Sequence, residues 1–208
     1  MSAEIFYLVD FCGASCGQPE FISGEFNCDE WEWDEFDPGV ESVVVERVYK
    51  FKVLDRTIKT LDVDFLGSPH NLVSARFLEV CDSLNVRYRS VPVELKLASG
   101  VISGEYFIFI PLDAVELLDQ AGSKFSLEKD LNTSEPVFNR YHPAVPVYSW
   151  IRQFSAKSGV CESFFVCIEI MKWVCSEEFK VEAEKKLAGL SFKPIDSEFV
   201  FDPWGEMS

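Results

Sequence analysis

The run Cys28-Asp-Glu-Trp-Glu-Trp-Asp-Glu-Phe-Asp37 interleaves carboxylates with aromatic rings. Carboxylates can ligate a hard cation, act as a general acid and base, or attract a basic macromolecule, and neighbouring tryptophans can anchor a protein interface. A calcium loop needs the Asp-x-Asp-x-Asp-Gly spelling with a closing Glu, which this chain lacks. Acid–base catalysis needs two carboxylates at a set separation, and linear spacing alone does not single out a pair. Attraction of a basic partner needs only exposure. The candidate partner-binding residues are therefore Glu30, Trp31, Glu32, Trp33, Asp34, Glu35, Phe36 and Asp37, the rings giving durable contact and the acids steering the encounter. The competing reading is a solvated loop with its tryptophans tucked into the core.

Other reactive side chains point nowhere as clearly. The seven cysteines (Cys12, Cys16, Cys28, Cys81, Cys161, Cys167 and Cys175) include no CxxC pair. Zinc at Cys12, Cys16 and Cys28 would need a fourth ligand from as far away as His70, so they are expected to be core or turn residues, with no metal, cofactor or disulfide framework. Only His70 and His142 could serve as near-neutral bases. His70 precedes a predicted helix, and His142 sits in Tyr141-His-Pro143 of a long loop. No H-E-x-x-H and no phosphate-cradling G-x-x-x-x-G-K-[ST] occurs, and the chain reads as a binder without a catalytic residue.

The charge is lopsided. Of 35 acidic residues, 12 precede Arg47, the first basic residue, leaving 23 acids against 19 bases in the other 162 positions; the whole chain carries −16. Such a surface repels nucleic acid and anionic membrane and favours cations or basic proteins. The N-terminus lacks the basic and apolar regions of a secretory signal and no window is long and apolar enough to span a bilayer, so a cytoplasmic location is expected.

The elements that must position these residues follow from periodicity. Strands are predicted at 4–11, 43–54, 58–65, 88–97, 105–111, 162–174, 190–195 and 198–201. Trp31 and Trp33 would share one side of an extended segment. From Ser74 the apolar residues Phe77, Leu78, Cys81 and Leu84 form a helical stripe with Ser74 as its cap; Ser176 caps a second helix bearing Phe179, Ala183 and Leu187 and ending at Gly189. The polar, proline-rich stretch 130–146 reads as a connection dividing a single 1–208 domain into lobes 1–130 and 147–208. The predicted class is α+β, with mixed or antiparallel sheets. Two similar helix–strand units are expected, because Val73-Ser-Ala-Arg-Phe77 aligns with Cys175-Ser-Glu-Glu-Phe179 and a proline, Pro92 or Pro194, follows each phenylalanine after 15 residues.

The stretch His70-Asn-Leu-Val-Ser-Ala-Arg-Phe-Leu-Glu-Val80 with Val91-Pro-Val93, and the stretch Val174-Cys-Ser-Glu-Glu-Phe179 with Leu187-Ala-Gly-Leu-Ser-Phe-Lys-Pro194, resemble the immunity proteins of bacterial polymorphic toxin systems. The matching pieces cover roughly 60 of 208 residues. The resemblance implies an α+β protein that binds and occludes a cognate toxin domain, with Ser74, Phe77, Pro92, Ser176, Phe179 and Pro194 as scaffold. The acidic run lies outside the matched pattern and rests on its own chemistry. Two alternatives stay open: a hydrolytic or ligand-binding domain using carboxylates or His142, and an acidic DNA mimic that occupies a DNA-binding protein.

Overall fold

The computed structural model describes residues 4–34, 36–37, 39–67 and 71–203. Within them the chain is α+β, as predicted. Its elements run β1 (Phe6–Phe11), β2 (Gly24–Phe26), β3 (Tyr49–Val53), β4 (Phe65–Leu66), β5 (Leu72–Ser74), α1 (Ala75–Ser83), β6 (Tyr88–Lys96) and β7 (Tyr106–Pro111). They continue with β8 (Ala114–Val115), β9 (Lys124–Leu127), β10 (Tyr148–Gln153), β11 (Phe164–Cys167), β12 (Lys172–Ser176), α2 (Glu177–Lys186) and β13 (Leu190–Ile195). Among the described residues no helix is long and apolar enough to cross a membrane.

The chain divides into two compact units built from separated stretches. The first takes Met1–Val9, Asp113–Glu177 and Phe192–Ser208; the second takes Asp10–Leu112 and Glu178–Ser191. The expected boundary at 130–146 falls inside the first unit. Its turn residues brace an arm, with single bridges Lys129↔Pro136 and Phe138↔Pro146 and the carboxylate of Asp130 accepting from the Asn132 and Thr133 amides at 2.8 Å.

In the second unit six strands are ordered β2-β3-β6-β7-β5-β4, antiparallel except for β3 beside β6. Strand β3 shows why: Tyr49, Phe51 and Val53 are buried while Lys50 and Lys52 between them are exposed, the period-2 pattern of a half-buried strand. Its buried face meets Val91, Val93, Leu95, Ile108 and Ile110 in one core. Helix α1 starts where Ser74 Oγ accepts from the Phe77 amide at 3.2 Å. It ends where Asn85 turns left-handed (φ 54°) and the Val86 amide returns to the Cys81 carbonyl at 3.0 Å. After α2, Gly189 takes φ +86°, where an added Cβ would stand 3.1 Å from Val63.

One buried acid ties this unit together. Asp64, fully buried, accepts from Ser74 Oγ (2.5 Å), Arg76 Nε (2.9 Å) and the Ala188 amide (2.8 Å), while its own amide donates to the Ala188 carbonyl (2.8 Å). Its charge, ahead of its hydrogen bond, holds the Arg76 guanidinium above its ordinary pKa. The cap of α1 and the segment after α2 thus share one carboxylate.

The five-stranded sheet is ordered β13-β1-β12-β11-β8. The end of β1 is tied to the start of β13 through the Cys12 amide on Gly189 O (3.0 Å) and Ser191 Oγ on Asp10 O (3.3 Å), so these neighbours run antiparallel. The predicted repeat therefore has a topological counterpart. Each sheet contains an antiparallel pair (β4–β5, β11–β12), a helix leaving the second strand (α1, α2), and a following strand (β6, β13) set one place away across an intervening strand (β7, β1).

Several segments differ from expectation. Residues 28–34 are bends and irregular backbone, not a strand. The strand predicted at 43–54 is confined to Tyr49–Val53, and of 58–65 only the end is a strand, the rest burying Ile58, Leu61 and Val63 from irregular backbone. The run 162–174 folds back as the β11–β12 hairpin, with Met171 left-handed at φ 49°. Residues 198–201 make no strand, only a bridge from Phe201 to Ile151.

Candidate docking loop

Residues 27–48 form the long connection between β2 and β3. Its ends are closed by Asn27, whose amide donates to Lys50 O (3.0 Å), whose Nδ2 donates to Val48 O (3.0 Å) and whose Oδ1 accepts from the Lys50 amide (2.8 Å). Inside, Trp31 and Trp33 stack at 5.3 Å and both rings lie 5.4 Å from that of Tyr49; Phe26 stands 4.8 Å from Trp31. Trp33 is 8% exposed and joins the core, and Trp31 is half-buried. The extended face expected to present both tryptophans is thus replaced by a folded loop that turns them onto β3, because burying two indoles against Tyr49 gains more than alternation with acids can oppose.

The acids separate into two groups. Glu32 is half-buried and internal: it accepts from the Glu46 amide (3.1 Å), the Arg47 amide (3.3 Å) and Tyr49 Oη (2.9 Å). Desolvation alone would raise its carboxyl, but these hydrogen bonds and the Arg47 charge outweigh it and hold it below the usual range. Burial, then the bond to Glu32, pushes the Tyr49 phenol up. A hydrogen bond with the Cys28 side chain moves the Arg47 guanidinium further above its ordinary pKa, and its Nη1 donates to Glu30 O at 2.8 Å. The second group, Asp29, Glu30, Asp34, Asp37, Glu41 and Glu46, is exposed. Asp37 also accepts from the Gly39 amide at 2.7 Å, and Glu41 lies 3.8 Å from Arg87. Phe36 is half-buried. Glu35 and His70 lie outside the described residues.

The Glu32 latch makes the loop acid-sensitive. A carboxylate whose folded pKa is depressed contributes stability above its unfolded pKa, and that contribution is lost as pH falls through the folded value. Tryptophan emission should be steady from pH 7 to 5 and shift to the red below about pH 4, with Glu32→Gln abolishing that step. An identical acid transition in the variant would rule out the latch.

The remaining candidates are structural in their geometry. The His142 amide donates to Asn139 Oδ1 (3.1 Å) and its carbonyl accepts from Val145, a turn within the arm. Cys12, Cys16 and Cys28 are half-buried, and Cys16 Sγ donates to Gly13 O at 3.2 Å. Among the described residues no three of His, Cys, Asp and Glu gather to hold a metal ion.

Two features run against or beyond the expectations from the sequence, the first being a G-x-S-x-G spelling where none was expected. Gly13-Ala-Ser-Cys-Gly17 spells G-x-S-x-G directly after β1, the pattern of a nucleophile elbow. Here Gly13–Cys16 is one 3-10 turn, and Ser15 Oγ donates to Cys12 O at 2.8 Å, closing that turn. In the first unit, a 350 Å³ cleft is lined by Glu116, Asp119, Gln120, Tyr148, Lys157 and Glu169. Buried Glu169 accepts from the amides of Leu117 (3.1 Å) and Leu118 (2.8 Å) and from Cys167 Sγ (3.2 Å), and burial first, then this carboxylate, pushes the Cys167 thiol far up. With three donors on it, Glu169 acts as a backbone clamp. A lone acid inside the apolar run 164–175 was the available signal.

No protein-family model matches the chain, and no curated protein matches it.

Proposed function

We propose that this chain is a neutralising binder of the immunity type, acting in the bacterial cytoplasm, and that loop 27–48 docks on a basic toxin domain. The observation carrying this reading is the group of exposed acids Asp29, Glu30, Asp34, Asp37, Glu41 and Glu46 on one hydrogen-bonded loop with no basic residue before Arg47. Placing like charges together opposes folding unless something else is gained, and a cationic partner supplies that gain. Buried Trp33 is no anchor for a partner. The apolar contact passes instead to Val44 and Val48, 74% and 68% exposed at the end of the same loop. Aliphatic contacts bury less area than indoles, so the charges carry more of the recognition.

The experiment is co-expression and binding with the product of the neighbouring toxin gene. Asp29→Asn, Glu30→Gln and Asp37→Asn together should slow association about tenfold at low salt and change dissociation little. No complex at micromolar concentration, with no rescue of toxin-expressing cells, would refute the reading. Displacement of the chain from a DNA-binding protein by duplex DNA would mark it as a polyanion mimic instead.

A further inference from the structure

Long loops without regular structure normally sample many conformations, and ordering them on contact weakens binding. Loop 27–48 carries its own restraint near its crest. Arg89, half-buried on β6, sends Nη1 to the carbonyl of Val40 and Nη2 to that of Val43 (2.5 Å). Val40 opens and Val43 follows the 3-10 turn Val40–Ser42, whose Val40 side chain is buried. The guanidinium fork therefore satisfies the end of that turn and pins it to the sheet, while the Glu32 and Arg47 bonds close the base. Lysine could not do the same, having a point charge in place of two fixed, parallel donors.

We propose that Arg89 is a positioning residue that holds the 40–47 part of this loop in one conformation, so that Glu41, Glu46 and Val44, with Val48 beside them, form a preformed docking face and not one that folds on contact. The role rests on the docking reading for its purpose, though not for its geometry. Glu41 stands in the turn that Arg89 holds, and removing Arg89 makes the protein more negative by one. A purely electrostatic account thus requires Arg89→Ala to bind a polycation more tightly. Positioning requires weaker binding.

The test uses the full chain with Arg89→Ala and Arg89→Lys. Amide exchange reads the loop directly, because the amides of Val40, Ser42 and Val43 donate to the carbonyls of Asp37, Gly39 and Val40 and those of Glu46 and Arg47 bond to Glu32. Arg89→Ala should speed exchange of Ser42 and Val43 at least about tenfold and leave the β6 and β7 amides unchanged. Arg89→Lys, which keeps the charge, should fall between and carries the test should alanine unfold the unit. A labelled decalysine peptide serves as the cationic probe; its affinity should fall several-fold in Arg89→Ala despite the added negative charge. Unchanged exchange in both variants, or tighter peptide binding by Arg89→Ala, would overturn the assignment. Slow, Arg89-dependent exchange without peptide binding by the wild type would overturn the docking face alone and leave Arg89 as the loop's anchor.

Discussion

Asp64→Ala should lower the unfolding free energy by about 3–5 kcal/mol, the range seen when one member of a buried charged network is removed. The carboxylate is fully buried, so water cannot take over its acceptor role. Its loss strands the Ala188 amide, frees Ser74 Oγ from its fixed orientation at the start of α1, and leaves Arg76 only the exposed Asp62 at 3.1 Å. Asp64→Asn keeps the volume and one acceptor but puts an amide donor where a second acceptor is needed; it should cost about 1.5–3 kcal/mol. Denaturant midpoints at constant slope measure both. A loss below about 1 kcal/mol for the alanine variant would show that the network is not under tension from burial.

The second large effect concerns the paired rings. Phe77 and Phe179 are fully buried with centroids 5.8 Å apart, and Phe77 also meets Phe109 at 5.1 Å. Either alanine substitution should cost about 3–5 kcal/mol, the sum of lost transfer and a cavity that the packed sheet cannot close. The double variant should cost less than the two singles combined, by about 0.5–1.5 kcal/mol, because the first deletion already removes the ring–ring contact. Strict additivity would mean that each ring packs independently.

Local chemistry was legible in the sequence where it decides the structure locally. Ser74 capping, the left-handed Gly189 after α2 and the repeated Ser-x-x-Phe spelling are set within a few residues and have structural counterparts, whereas the α1 stripe is only half met: Phe77 and Cys81 are buried, but Val80 takes the buried place expected of Leu78 and Leu84, which are half-buried. What failed was everything settled by distant partners. Alternation of acid and indole at 28–36 implied an exposed aromatic side, but Tyr49 offers those rings a better surface than water. Asp64 stands in Asp62-Val-Asp-Phe65 like a solvent-facing acid, and only its distant neighbours Ser74, Arg76 and Ala188 bury it profitably. Strands β8 to β10 are short and partly polar, with register set by neighbours and not by their own pattern. For the docking loop, acid content was readable, whereas the fork of Arg89 was not, since a lone arginine on a strand carries no sign of the carbonyls it will meet.

The stitching of β1 into its sheet has a consequence for biosynthesis. Phe6 lies opposite Ser176 and Leu8 opposite Val174, so a nascent chain must hold β1 unmated until β12 has been made. Closing such distant ends is slow and leaves sticky intermediates open to chaperones and proteases. This sheet should accordingly form late, only once β12 has been made, and a cell relying on the protein would need to begin its synthesis well before the demand arises.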